Sequence, residues 1–391
     1  MRNIRKRLKK YKFLRVPYNF ISKELSYRKE WLKYKCELAV ERINSRKEVK
    51  NILLIRTFGI GDIVRTTPAA EKLKRKHPGA KVDYFTYKSN APILAGNPNI
   101  DKIFTELDIK EACSKQYDLV INWQIFDTCE YTKKLMKDIR AKRILGRHFN
   151  RDGVYNYDTV LRFKTWMEMF FRIALVPYNA KDPEKTNIYS CHENTATALD
   201  RFRINSKDRY VGICIGGNEV ARPEYWYRNF SVEFLEKLIV ELTKKHKVIM
   251  FGQSKDRNEA DQKTLSEISN RFNIINLIDK LTLNELIIVL KRCACVISSD
   301  TGILHMSIAL KVPTVALFSN NTGSIYIAPK KRGRYYRILY NDKPRCFPCE
   351  QLFEKECLEK KRAQCIEGIS VSKISREVED CIGHSTFFTG F

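Results

Sequence analysis

What most constrains this chain is a rhythm that runs, falters and restarts. Short apolar runs are each followed by a small-residue turn and then by a stretch of helical length. Residues 51–56 read Asn-Ile-Leu-Leu-Ile-Arg, a run expected of a strand buried on both faces of a parallel sheet. A helix is predicted over 63–77, ending at Pro78-Gly79, with further strands at 82–87, 117–123 and 143–146. Residues 150–205 are less regular: a helix is expected over 165–175 and a crossing segment over 177–206. The alternation then resumes with strands at 210–215, 247–251, 273–277, 295–299 and 314–318, and helices over 231–246, 256–271, 283–292 and 302–310. The expected class is α/β, with two doubly wound domains in tandem and a ligand cleft between them at the carboxyl ends of the strands.

With 391 residues, 43% of them hydrophobic, the chain has enough apolar surface for two cores, which excludes disorder over most of its length. There is no uncharged apolar run of roughly 18 residues, so no spanning helix is expected. The N-terminus has no apolar segment with a small-residue cleavage site, so a secretory signal is not expected either. An intracellular chain with its twelve cysteines mostly reduced is the expectation. The net charge is +27, of which residues 1–50 supply +12. That arm interleaves Lys and Arg with Tyr11, Phe13, Tyr18 and Trp31 and is expected to form a helix over 21–43. Such a pattern suits an anionic membrane surface, nucleic acid, or simply a solvated helical arm. No zinc finger, helix-turn-helix or RNA-binding sheet signature supports nucleic acid.

Two turns carry candidate chemistry. The first is Thr57-Phe58-Gly59-Ile60-Gly61-Asp62-Ile63-Val64. A dinucleotide fingerprint needs Gly or Ala where Val64 stands, so the paired glycines are weak evidence for a nucleotide here. They do deliver Asp62 to a strand's carboxyl end, where a carboxylate can take a proton from an attacking hydroxyl or merely cap the helix. The second turn is Ser299-Asp300-Thr301-Gly302, followed by His305. Gly302 permits close approach to the backbone, and the first helical turn offers N–H groups and a favourable dipole to an anion. Thr301 and His305 share one side of that turn, which suits a diphosphate with Asp300 reaching a neighbouring hydroxyl; a capped helix start with a buried His is the plainer reading.

Taken together, the stretch from Ile52 to Pro68 resembles the opening motif of glycosyltransferase family 9, the ADP-heptose:lipopolysaccharide heptosyltransferases. Ser299-Asp300-Thr301-Gly302-Ile303-Leu304-His305, with the run from Ala309 to Phe318 after it, is similar to that family's donor-site motif. The resemblance covers roughly residues 51–380. It implies a GT-B fold of two Rossmann-like domains, the acceptor on the first and the nucleotide-sugar on the second, and an inverting transfer that needs no metal and no cofactor beyond the donor. Asp62 then matches the general base. Asp300, Thr301, Gly302 and His305 match donor-binding positions, and Gly216 and Gly217 match the loop near the donor phosphates. Where many members have a Lys-x-Trp-Pro segment, this chain has Arg228-Asn229-Phe230-Ser231 after an apparent insertion over 219–227. Arg228 is the first candidate to neutralise the leaving diphosphate and Arg222 the second.

The expected divisions are a basic arm (1–50), an acceptor domain (51–200), a donor domain (201–345) and a Cys-containing helical segment (346–391). The resemblance implies work at the cytoplasmic face of the bacterial inner membrane on a lipid-linked core saccharide, with the arm on the anionic surface. Another nucleotide-sugar, or a non-catalytic module binding anionic lipid or nucleic acid, is the alternative; a nicotinamide oxidoreductase is weakened by Val64. Cys346, Cys349, Cys357 and Cys365 could hold a structural zinc, although the second pair's spacing of eight departs from a repeated Cys-x-x-Cys; reduced packing cysteines are the simpler expectation, with Cys381 beyond them.

Overall fold

The computed structural model describes residues 36, 48–124, 130–146, 165–189, 195–205, 207–216, 228–253, 258–319, 332–344 and 364–386. The predicted arm (1–50) therefore lies outside the described residues, apart from Cys36 and residues 48–50.

The first sheet is built from β1 (Asn51–Ile55), β2 (Lys81–Phe85), β3 (Lys102–Phe104), β5 (Leu119–Asn122) and β7 (Ile144–Leu145), in the order β3-β2-β1-β5-β7. Every pairing in it is parallel. Two short strands, β4 (Gln116–Tyr117) and β6 (Arg140–Ala141), pair beside it. The second sheet joins β8 (Tyr210–Cys214), β9 (Lys247–Phe251), β10 (Ile275–Asn276), β11 (Cys293–Ser298), β12 (Thr314–Phe318) and β13 (Tyr336–Tyr340), in the order β10-β9-β8-β11-β12-β13, again all parallel. The longer helices are α1 (Ile60–Lys76), α2 (Glu130–Asp138), α3 (Trp166–Ile173), α4 (Val232–Leu242), α5 (Glu259–Arg271), α6 (Leu283–Leu290), α7 (Gly302–Ala309) and α8 (Val371–Thr386).

The strands are buried on both faces, as their unbroken apolar runs require: Ile52, Leu53, Leu54 and Ile55 have no exposure at all. In each sheet the strand order reverses at the first strand. β1 lies between β2 and β5, and β8 between β9 and β11, so each carboxyl end opens at a topological switch point, where open α/β sheets bind ligands. Trp123 fixes the layer behind β1, its indole N–H donating to the Phe170 carbonyl at 2.8 Å. Ile366, Ile369, Ile374, Val378 and Cys381 pack into the second core with Val211, Leu238 and Leu317.

Differences from the predicted elements have local causes. The strand expected over 117–123 divides at Asp118, whose carboxylate turns aside to accept from the backbone N–H groups of Lys50 (2.8 Å) and Asn51 (3.0 Å). β13 was not legible because a buried Arg337 interrupts its apolar run; the arginine Nη1 donates to the Gly333 (2.8 Å) and Tyr336 (3.1 Å) carbonyls. The first helix starts at Ile60 rather than 63, which places Asp62 inside the first turn.

The segment joining the domains is bound from both sides. The buried Asp182 carboxylate pairs with Lys72 of α1 at 2.7 Å and accepts from the Asn179 N–H at 2.6 Å. Lys311, just past α7, donates to the carbonyls of Glu184 (2.7 Å) and Thr186 (2.6 Å). Burial pushes the Lys311 ammonium down to about 8. Asp182→Ala would remove the anchor and leave Lys72 without its carboxylate. Because Lys72 retains some solvent access, the expected loss is about 2–3 kcal/mol, below the full cost of breaking a buried pair; urea unfolding of the full chain measures it.

Candidate active site

Asp62 is held by geometry that its own turn sets up. Gly59 takes φ +75° ahead of α1, a left-handed conformation that a side chain would strain. This brings the Asp62 carboxylate back toward the end of β1. It does not cap the helix: no side chain caps α1, whose N-cap is Gly59. Instead one carboxylate oxygen takes a charge-assisted bond from Arg56 and the other from Arg65. Arg56 is itself anchored by donating to the Trp123 carbonyl at 2.8 Å and lies over the Phe170 ring. Burial alone would raise the Asp62 pKa, but the Arg56 and Arg65 guanidinium groups, with a smaller contribution from His305, lower it below the ordinary carboxylate value. Asp62 is therefore ionised at neutral pH.

The second turn forms a matching cluster. Asp300 pairs with Arg228 at 2.8 Å and lies 3.3 Å from His305 Nε2. Burial works against the Asp300 carboxylate, yet Arg228 and His305 outweigh it and hold its pKa at about 2. Burial pushes the His305 imidazole down and Arg65 adds to this, against the pull of Asp300 and Asp62; a neutral ring then donates from Nε2 to Asp300. The Thr301 hydroxyl is 2.9 Å from Ser298 Oγ and makes no capping bond to α7, so its side chain does not occupy the N–H groups of that first turn. Ser299 Oγ donates to the Arg228 carbonyl at 2.5 Å, fixing the segment that carries the guanidinium. Gly216 packs on the same segment: it has φ +144°, and a Cβ there would overlap Asn229.

The two turns meet. A Cβ on Gly61 would overlap the imidazole of His305, and one on Gly302 would press on Ile60 at 3.1 Å. The N-termini of α1 and α7 thus face each other, each notched by a glycine that admits the other's side chain. Gly302, expected to admit a ligand, here has Ile60 as its neighbour. Of the predicted site residues, the structure brings Asp62, Asp300, Gly302 and His305 to this contact, with Thr301 between them and Gly216 and Arg228 at its second-domain side. Gly217 and Arg222 lie outside the described residues, as do Cys346, Cys349 and Cys357. Cys365 is half-buried in a short helix over Gln364–Glu367 and Cys381 is buried in α8. Among the described residues no three His, Cys, Asp or Glu side chains are grouped to hold a metal ion.

Sequence reasoning passed over Arg56 and Arg65. The available signal was their spacing: Arg65 is three residues after Asp62 on a helix, the separation at which side chains meet, and Arg56 ends the strand that feeds the turn.

The model of glycosyltransferase family 9 (heptosyltransferase) matches residues 152–361. The chain belongs to this family. The matched stretch contains the Asp300–His305 turn, while Asp62 lies before it. Lipooligosaccharide heptosyltransferase 2 of Haemophilus influenzae is 23% identical over 297 residues, covering 68% of this chain and 83% of that protein. The glycosyl transferase family 9 structure from Veillonella parvula aligns with a TM-score of 0.65 at 19% identity, over 86% of this chain and 99% of its own. The Escherichia coli ADP-heptose lps heptosyltransferase II structure gives 0.63 at 15% identity, over the same shares of 86% and 99%. These likenesses establish the GT-B fold expected from sequence.

Arg65→Met removes one of the two cations that favour the Asp62 carboxylate. The Asp62 pKa is expected to move up, so that the group protonates at higher pH than in the unsubstituted protein. Carbon-13 titration of aspartate-labelled protein, with Asp62 assigned through Asp62→Asn, reads the direction of that movement.

Proposed function

We propose that this chain is an inverting glycosyltransferase that moves a heptose from ADP-heptose onto the core saccharide of lipopolysaccharide. The observation that carries the reading is the apposition, in a family 9 chain, of the ionised Asp62 on the first domain with the Arg228–Asp300–His305 cluster on the second. The names of the family and of its solved and curated relatives supply the heptose, the ADP and the lipid-linked acceptor.

The chemistry is a single displacement. The acceptor hydroxyl oxygen attacks the anomeric carbon, the bond from that carbon to the diphosphate oxygen breaks, and ADP leaves with the electron pair. Asp62 receives the hydroxyl proton, and its ionised state is the form a base must hold before the reaction. The departing diphosphate needs positive or hydrogen-bonding groups already in place. Arg228, the uncapped first turn of α7, His305 and the backbone at Gly216 and Gly217 are the groups we assign to it, with Asp300 orienting Arg228 and His305 and Thr301 beside them. These groups supply charge stabilisation without a metal, so the reaction is assigned as metal-independent and cofactor-free. The acceptor is assigned to the domain of residues 51–200 and the donor to that of 201–345, with 346–391 as a Cys-containing helical extension. We place the enzyme at the cytoplasmic face of the inner membrane, held peripherally through residues 1–50. No helix among the described residues is long and apolar enough to cross a membrane.

Thermal-shift binding against ADP, UDP, GDP and CDP, with ADP-heptose alongside, tests the donor. ADP and ADP-heptose are expected to raise the melting temperature selectively by mass action; selectivity for another nucleotide would replace the donor, and no response from folded protein would overturn the reading. In transfer assays Asp62→Asn is expected to slow the reaction by about a thousandfold while nucleotide binding persists, and activity is expected to survive chelation by EDTA.

A further inference from the structure

The first domain exposes three aromatic or large apolar side chains among the described residues, Phe58, Leu107 and Tyr131, with exposures of 40%, 71% and 45%. Two of them belong to one cluster. Phe58 follows β1, Tyr87 follows β2, and Tyr131 opens α2, the helix that follows β5. Since β2, β1 and β5 are adjacent in the sheet, the three rings rise from neighbouring carboxyl ends. The half-buried Tyr87 stands edge-on to both others: its centroid is 5.2 Å from Phe58 at 88° and 6.1 Å from Tyr131 at 87°. Such edge-to-face contacts fix the rings against one another.

The foot of this wall is held as firmly as its top. Thr57, next to Phe58, accepts at its carbonyl from Asn90 Nδ2 at 2.9 Å, on the short 3-10 helix Lys88–Ile93 after β2. Its N–H and hydroxyl both donate to Gln124 Oε1, at 3.2 and 3.1 Å, from the loop after β5. A rigid, exposed aromatic surface at a sheet's switch point, four residues before a catalytic carboxylate, is placed for a ligand rather than for the core. The exposed neighbours Lys88, Ser89, Glu130 and Lys133 are polar, unlike the aliphatic lining of an acyl-chain groove. A sugar ring suits such a surface, since its face of C–H groups packs on an aromatic ring while its hydroxyls reach polar neighbours and the tyrosine hydroxyls.

We propose that Phe58, Tyr87 and Tyr131 form the acceptor platform, on which a sugar ring of the acceptor saccharide stacks with its reacting hydroxyl directed toward Asp62. This rests on the glycosyltransferase reading and adds the substrate subsite to it. The test uses the full chain with two acceptors, a lipid-linked core saccharide and the same saccharide freed of its acyl chains. Phe58→Ala and Tyr131→Ala are each expected to raise the acceptor KM by about fivefold to tenfold with both acceptors. The donor KM and the melting temperature should not move, and Tyr131→Phe should restore most of the loss. Unchanged acceptor KM in both alanine variants would overturn the platform. So would a loss confined to the acylated acceptor, which would assign the rings to a lipid chain. If unsubstituted protein transfers no sugar to either acceptor, the reading beneath the platform fails instead.

Discussion

Everything at the centre of this molecule depends on one carboxylate held between two guanidinium groups. Asp62 is half-buried among apolar neighbours, and a carboxylate in such surroundings is stable only if its charge is answered. Arg56 answers it from the end of β1 and Arg65 from one turn along α1. Neither arginine is free to wander, since Arg56 is tied to the Trp123 carbonyl and Arg65 to the Gly61 carbonyl at 3.2 Å. Strand, turn and helix are thereby locked together at the point where the first sheet opens. Arg65 also faces the second domain, where its charge holds down the His305 imidazole.

The second domain solves the same problem with other parts. Asp300 is answered by Arg228 and by His305, and the two carboxylates lie on opposite sides of a contact between helix N-termini. Helix dipoles pointing their positive ends at one region favour negative charge there, and both aspartates exploit this. The charge pattern is therefore alternating rather than single-signed, which keeps each buried ion paired while leaving α7's first turn without a side-chain cap.

Much of this was legible in the chain before any coordinates. The apolar runs of β1, β8 and β11 mark strands buried on both faces, and they lead into the turns that carry Asp62, Gly216 and Asp300. Asp62, Asp300 and His305 could be picked out because they stand in glycine-containing turns at strand ends, within stretches that resemble the family's motifs. What could not be read was partnership across the fold. Arg56 and Arg65 look like ordinary basic residues in a chain of strong positive charge; the spacing of Arg65 from Asp62 hinted at one pair, but that both share one carboxylate shows only in the folded turn. β13 was hidden for a similar reason, since a buried arginine with carbonyl partners reads as a break in an apolar run. Phe58 and Tyr131 carry no local signal either, because their meaning comes from three strands ending side by side.

The reciprocal notches at Gly61 and Gly302 have a mechanical consequence. Two helices that meet through glycines come close, each glycine receiving a side chain of the other helix, and behind that contact Ile63 and Val64 of α1 share one apolar core with Met306 and Ala309 of α7. Such a joint behaves as a detent: it has one seated position, and leaving it carries the cost of uncovering the apolar surface that the two helices share. Any molecule that must pass between Asp62 and His305 meets that cost first, and its apparent affinity is reduced in proportion to the fraction of time the joint is parted. A larger residue at either notch would hold the helices apart, trading the seated position for easier entry.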